Sequence, residues 1–160
     1  MRILGIDIGT RIAGYCVIEI INGKLNPLTY GVIKTSNNLS FPERLKKIYE
    51  GLIDIINEYK PDDVAMEEIF YGKNIKTAIK IGEGRGIAIL SAAMANLHVS
   101  EYAATIVKKS VTGTGAATKM QVQAMVKNIL GLSEIPKPAD AADAIAIAIC
   151  HCHRYKLKNI

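Results

Sequence analysis

The chain predicts an α/β sandwich around a mixed five-stranded sheet. Three observations lead there. Residues 3–35 read as three β-rich runs, with the turn pair Asn22-Gly23 between the second and third. The hydrophobic period then changes at Ser40 to that of a helix, and after residue 60 short strand-like runs alternate with helical ones. Strands joined by tight turns pair antiparallel, whereas strands joined through helices pair parallel. The order βββ-α-β-α-β-α-α therefore predicts antiparallel strands one to three and parallel strands four and five.

Each element has its own signal. Ile3-Leu4-Gly5-Ile6-Asp7-Ile8 is a short apolar strand, Ala13 to Ile21 is rich in β-branched residues, and Leu28 to Ile33 follows the Asn-Gly turn. Ser40 with Glu43 forms a capping box with Pro42 in the first turn. Leu45, Ile48, Leu52, Ile55, Ile56 and Tyr59 then keep helical spacing until Pro61 stops the run. Asp63 to Glu67 reads as the fourth strand, Thr77 to Leu97 as a helix, and His98 to Ala103 as the fifth strand. Thr118 with Gln121 caps a further helix ending at Gly131, and Pro138 opens the last one, reaching to about Tyr155. No linker or internal repeat interrupts this pattern, so residues 1–160 are expected to form a single domain.

Composition limits what such a domain does. With 160 residues, 49% of them apolar and 22% charged, the chain has ample material for a core and is not intrinsically disordered. The longest apolar stretch, Gly86 to Ala95, is shorter than the roughly 18–20 residues that cross a bilayer. Asp7 stands where a signal peptide needs its apolar segment, so a soluble, cytoplasmic protein with no membrane partner is expected. A net charge of +5 is compatible with a polyanionic partner without requiring one. Three cysteines, two of them one residue apart, suggest free thiols in a reducing compartment.

Four carboxylates interrupt apolar surroundings: Asp7 in the first strand, Glu67 at the end of the fourth, and Asp140 and Asp143 in the first turn of an Ala/Ile helix. Residues 140 and 143, three apart, share a helical face. If the first and fourth strands are neighbours, Asp7 and Glu67 project at one sheet edge. Each acid alone is more often a turn former or a helix cap than a functional group. Together and unneutralised they would raise one another's pKa values, a conflict that divalent cations remove. Oxygen-only donors favour Mg²⁺ or Mn²⁺, and a pair of such ions suits phosphodiester hydrolysis.

Gly5-Ile6-Asp7-Ile8-Gly9-Thr10-Arg11, Glu67-Glu68-Ile69-Phe70 and Asp140-Ala141-Ala142-Asp143-Ala144-Ile145-Ala146-Ile147-Ala148 closely resemble the RuvC family of Holliday-junction resolvases. The similarity also includes Gly82-Glu83-Gly84-Arg85-Gly86, Glu101-Tyr102-Ala103 and Cys152-His153, while Ile8 stands where the family commonly has Pro. The resemblance implies a ribonuclease-H-like fold, a homodimer, and Mg²⁺-dependent nicking of two opposed strands of a four-way DNA junction. It further implies two ions per site, work alongside a RuvA–RuvB branch-migration complex, and Asp7, Glu67, Asp140 and Asp143 as metal-binding catalytic acids. Glu67 rather than Glu68 takes the second position, and Glu68 is expected on the opposite strand face. Lys108 and Lys119 match basic positions of the family; Lys73 and Arg85 are further candidates for DNA contact. Phe70 and Tyr71, beside polar Gly72-Lys73-Asn74, are suited either to stacking on opened bases or to capping the sheet end.

Gly82 and Gly86 share a helix face that is suited to a dimer contact or to packing on the chain's own sheet. Consecutive helical residues point about 100° apart, so Cys150-His151-Cys152-His153 cannot close on one zinc ion and is expected to be an inert helix end. Two rivals share part of the pattern: a ribonuclease-H-like nuclease acting on structured RNA, and a noncatalytic nucleic-acid-binding module. The first strand and its Gly-Thr turn also resemble the phosphate loop of sugar kinases and actin-like ATPases, but those need a second domain for which 160 residues leave no room.

Overall fold

The computed structural model describes residues 1–9, 11–68 and 75–158, the last three as backbone only. Strands β1 (Arg2–Asp7), β2 (Ile12–Ile21) and β3 (Lys24–Lys34) are followed by α1 (Phe41–Tyr59), β4 (Asp63–Glu67) and α2 (Ile75–Met94). Then come β5 (His98–Tyr102), α3 (Ala104–Thr112), α4 (Lys119–Leu130) and α5 (Ala139–Lys158). The sheet order is β3-β2-β1-β4-β5. β1, β2 and β3 pair antiparallel, and β4 runs parallel to both β1 and β5, as the sequence predicts.

Two cores lie on the two faces of this sheet. One packs Leu4, Ile6, Val17, Val64 and Met66 against the apolar stripe of α1 and the Ala88/Ala92 side of α2. The other packs Ile3, Cys16, Ile18 and Ala65 against α5, with Val107 and Val111 of α3 and Val122 and Val126 of α4 outside it. Side chains alternate between the faces along a strand, so residues 3, 5 and 7 of β1, and 63, 65 and 67 of β4, all face α5. Both capping boxes form, at Ser40/Glu43 and Thr118/Gln121.

Helix α3 is a correction to the sequence reading, which passes from the fifth strand directly to the Thr118 cap. Five of its nine residues are β-branched and its N-cap, Ala103, offers no side-chain bond, so local propensity argues against a helix. Packing overrides it: Val107 and Val111, four apart, both bury against α5. Smaller differences concern boundaries. β3 begins at Lys24, ahead of the predicted Leu28, and absorbs Pro27 beside a register shift between Val17 and Ile18. Among the described residues no helix is long and apolar enough to cross a membrane.

Candidate active site

The acids meet because of where the helix can touch the sheet. On β2, Gly14 lies opposite Asp7. A Cβ on Gly14 would stand 2.0 Å from the Asp140 carbonyl oxygen, and one on Gly5 would stand 2.4 Å from that of Ala144. These two glycines, with the buried alanines 141, 142, 144 and 148, let α5 lie directly on β1 and β2. The first turn of α5 therefore sits beside Asp7, and the i, i+3 spacing turns Asp140 and Asp143 to that side. From the other neighbour, Ile6 pairs with Met66, so Glu67 extends one residue beyond that pair at the same end and on the same face as Asp7.

Burial and neighbouring charges both act on these acids. Burial pushes the Asp7 carboxyl up to about 7, with Asp143, Glu67 and Asp140 adding repulsion and Lys119 opposing it. Burial also raises Glu67, with Asp143 adding to the shift while Lys108 and Lys119 counter it. The Lys119 ammonium donates to Asp143 Oδ2 at 2.7 Å, and this bond, more than its attraction to Asp140 and Asp7, holds its pKa above the ordinary lysine value. Glu67 lines two clefts of about 270 Å³ each. One also takes in Asp7, Glu68 and Arg85; the other has Lys108, Lys119 and Asp143 around a floor of Val107, Val122 and Ala146.

Glu67 shares the strand face of Ala65 and lines both clefts, whereas Glu68 lies past the end of β4 and lines only the cleft on the α2 side. Lys108 and Lys119 stand beside the acids. Arg85 is buried instead: its guanidinium donates to the Glu67 carbonyl and pairs with Glu101. These two inward bonds leave its side chain only 10% exposed, against the expectation of a free cation for DNA contact. Phe70, Tyr71 and Lys73 lie outside the described residues.

The Cys/His segment is not the inert helix end that the sequence suggests, because both its histidines make side-chain hydrogen bonds. His151 bonds Tyr102 Oη at 2.8 Å through Nδ1 and Asp63 Oδ2 at 3.1 Å through Nε2, while His153 turns to Ser110. Asp63 opens the strand that Glu67 closes, so this polar cluster occupies the far end of the sheet. All three cysteines are buried, and none forms a disulfide with another described residue.

As these side chains stand, no three His, Cys, Asp or Glu among the described residues converge to hold one ion. The donor chemistry nevertheless fits a hard divalent cation. Carboxylate oxygens dominate, and their mutual repulsion is countered here by lysine alone among the charges that act on Asp7 and Glu67.

The chain is similar in sequence and fold to proteins of one family. The family model described as "Crossover junction endodeoxyribonuclease RuvC" matches residues 3–151. A protein of that name from Desulforamulus reducens is 53% identical over 144 residues, covering 90% of this chain and 88% of its own. The structure of Thermus thermophilus RuvC superposes with a TM-score of 0.91 at 33% identity, covering 99% of this chain and 97% of that one. T. thermophilus RuvC in complex with Holliday junction substrate gives 0.89 at 31% identity, over 98% and 96% of the two chains.

Proposed function

Because the chain belongs to the RuvC family of crossover junction endodeoxyribonucleases, we propose that it resolves four-way DNA junctions through the four acids at the end of its sheet. One observation carries the assignment to these residues: Asp7 and Glu67, from two strands, are both pushed up first by burial and then by the charge of Asp143 on the first turn of α5. Structural carboxylates are usually paired off with cations or helix ends; here Lys119 pairs with Asp143 while Asp7 and Glu67 stay among like charges beside two clefts, an arrangement suited to reactions at phosphate.

In this reading Asp7, Glu67, Asp140 and Asp143 hold Mg²⁺, two ions per site, with Mn²⁺ as a substitute. When bound, the metal supplies an activated water and neutralises charge building on the scissile phosphate. Binding of the cation would favour the deprotonated form of Asp7, whose pKa is raised to about 7 without it. Lys119 releases Asp143 and turns, with Lys108, to the DNA backbone, where phosphate replaces the carboxylate as its partner. The apolar floor of Val107, Val122 and Ala146 keeps Glu67 and Asp143 partly desolvated, which strengthens every charge interaction there. A homodimer would present two such sites to a two-fold symmetric junction, and a RuvA–RuvB complex is the expected partner.

The test is cleavage of a synthetic immobile junction in Mg²⁺ with the product ends mapped on all four arms. The wild type should nick two opposed strands symmetrically. Asp7→Asn should lose cleavage but still bind the junction in EDTA. Equal cutting of linear duplex or structured RNA would favour the broader ribonuclease-H-like reading.

A further inference from the structure

We infer that Arg85 is a positioning residue, which aims the Glu67 carboxylate by holding that residue's own backbone carbonyl. The inference rests on the assignment of Glu67 to catalysis. Arg85 lies on the inner side of α2 with Ala88 and Ala92. Its Nη1 donates to the Glu67 carbonyl oxygen and its Nη2 reaches Glu101 Oε2 on β5. One rigid guanidinium thus ties α2 to the ends of two adjacent strands. A lysine could keep the charge but could not supply the fork that meets both acceptors.

The tie falls where the sheet stops holding Glu67. Within β4 the residue pairs with Tyr102, and the Glu68 N–H donates to the Tyr102 carbonyl at 2.9 Å. Just beyond, β4 ends. The direction of a strand residue's Cα–Cβ bond follows from its flanking peptide planes. Securing the Glu67 carbonyl from α2 and the next N–H from β5 secures both sides of the following peptide, and with it the departure of the Glu67 side chain. Burying a guanidinium is costly unless its donors are satisfied. Here the satisfying acceptors are the catalytic strand's carbonyl and Glu101, whose carboxylate is itself 43% exposed.

The experiment compares Arg85→Gln, Arg85→Lys and Glu101→Gln with the wild type in two measurements on one synthetic four-way junction: affinity in EDTA and single-turnover cleavage in saturating Mg²⁺. A misplacement of about 1 Å at a catalytic group costs on the order of 100-fold in rate. Arg85→Gln should show a loss of that size with affinity near wild type. Arg85→Lys should recover only part of the rate, and Glu101→Gln should lose less than Arg85→Gln. A DNA-contacting arginine would give the opposite split, with weaker binding and a shallower salt dependence. That result, or wild-type cleavage in all three variants, overturns the inference. If Arg85→Gln does not fold, by its thermal melt, Glu101→Gln and Arg85→Lys decide by the same criterion. Glu67→Gln is run beside them: if it cleaves, the assignment of Glu67 fails; if it is inactive while the Arg85 variants cut normally, only the positioning role fails.

Discussion

Asp7 would ordinarily be charged at neutral pH, yet burial among other acids holds its carboxyl at about 7 rather than 3.8. Between those values the folded, metal-free protein binds a proton that the unfolded chain has released. Stability of the metal-free protein therefore falls as pH rises from about 4 to 7 and then levels off. Asp7→Asn removes this cost. In EDTA the variant should melt above the wild type at pH 8, by the equivalent of a few kcal/mol, and by less at pH 5. Equal stabilisation at both pH values would show that the carboxyl is not the titrating group. The four acids are legible in the sequence because a charge inside an apolar run needs a reason. Arg85 is not legible in that way: on a helix with Lys76 and Lys80 nearby it reads as one more surface cation, and only the fold turns it inward.

At the scale of elements, the contact of α5 with the sheet decides whether the site exists. Strand glycines normally weaken a strand; Gly5 and Gly14 instead mark where the helix backbone comes close. Gly14→Ala would drive a methyl into the Asp140 carbonyl, so the first turn of α5 must lift away from Asp7. A loss of about 3 kcal/mol is expected from such overpacking, together with severe loss of junction cleavage. Urea unfolding and the cleavage assay would check the two separately; a stable, active Gly14→Ala protein would mean that the helix can slide without harm. Gly23→Ala makes a useful contrast, since nothing lies within 4 Å of the added atom and only the turn at φ +76° is strained. Helix α3 teaches the complementary lesson. Its β-branched residues conceal it in the sequence, and packing against α5 and α4 makes it helical.

At the scale of the whole molecule, α2 connects two surfaces. Its inner side holds Arg85; its outer side exposes Ile75, Ile79, Leu90 and Met94, with Leu90 49% accessible. Ile75 and Ile79 are four residues apart, as are Leu90 and Met94, and the step of eleven residues from Ile79 to Leu90 makes about three turns, so all four fall on one stripe along the helix. A Cβ on Gly86 would meet nothing within 4 Å, so that glycine is not needed for packing on the chain's own sheet. This stripe is the surface on which a second copy would dock in the proposed homodimer. Leu90→Glu should convert a dimer into a monomer by sedimentation or light scattering and abolish paired nicking. A dimer that survives the change would place the interface elsewhere.

By itself the sequence determined the five strands and their directions, every helix but α3, both capping boxes and the family, and it singled out the four acids as candidates. Those depend on hydrophobic period, short-range hydrogen bonding, and charges set against apolar neighbours, all of which are local in the chain. Tertiary structure decided which glycines admit α5, that residues 104–112 become helical, that Arg85 turns inward, and that His151 joins Asp63 and Tyr102. Each of these depends on groups brought together by folding from distant parts of the chain, and spacing along the chain carries no record of such a contact.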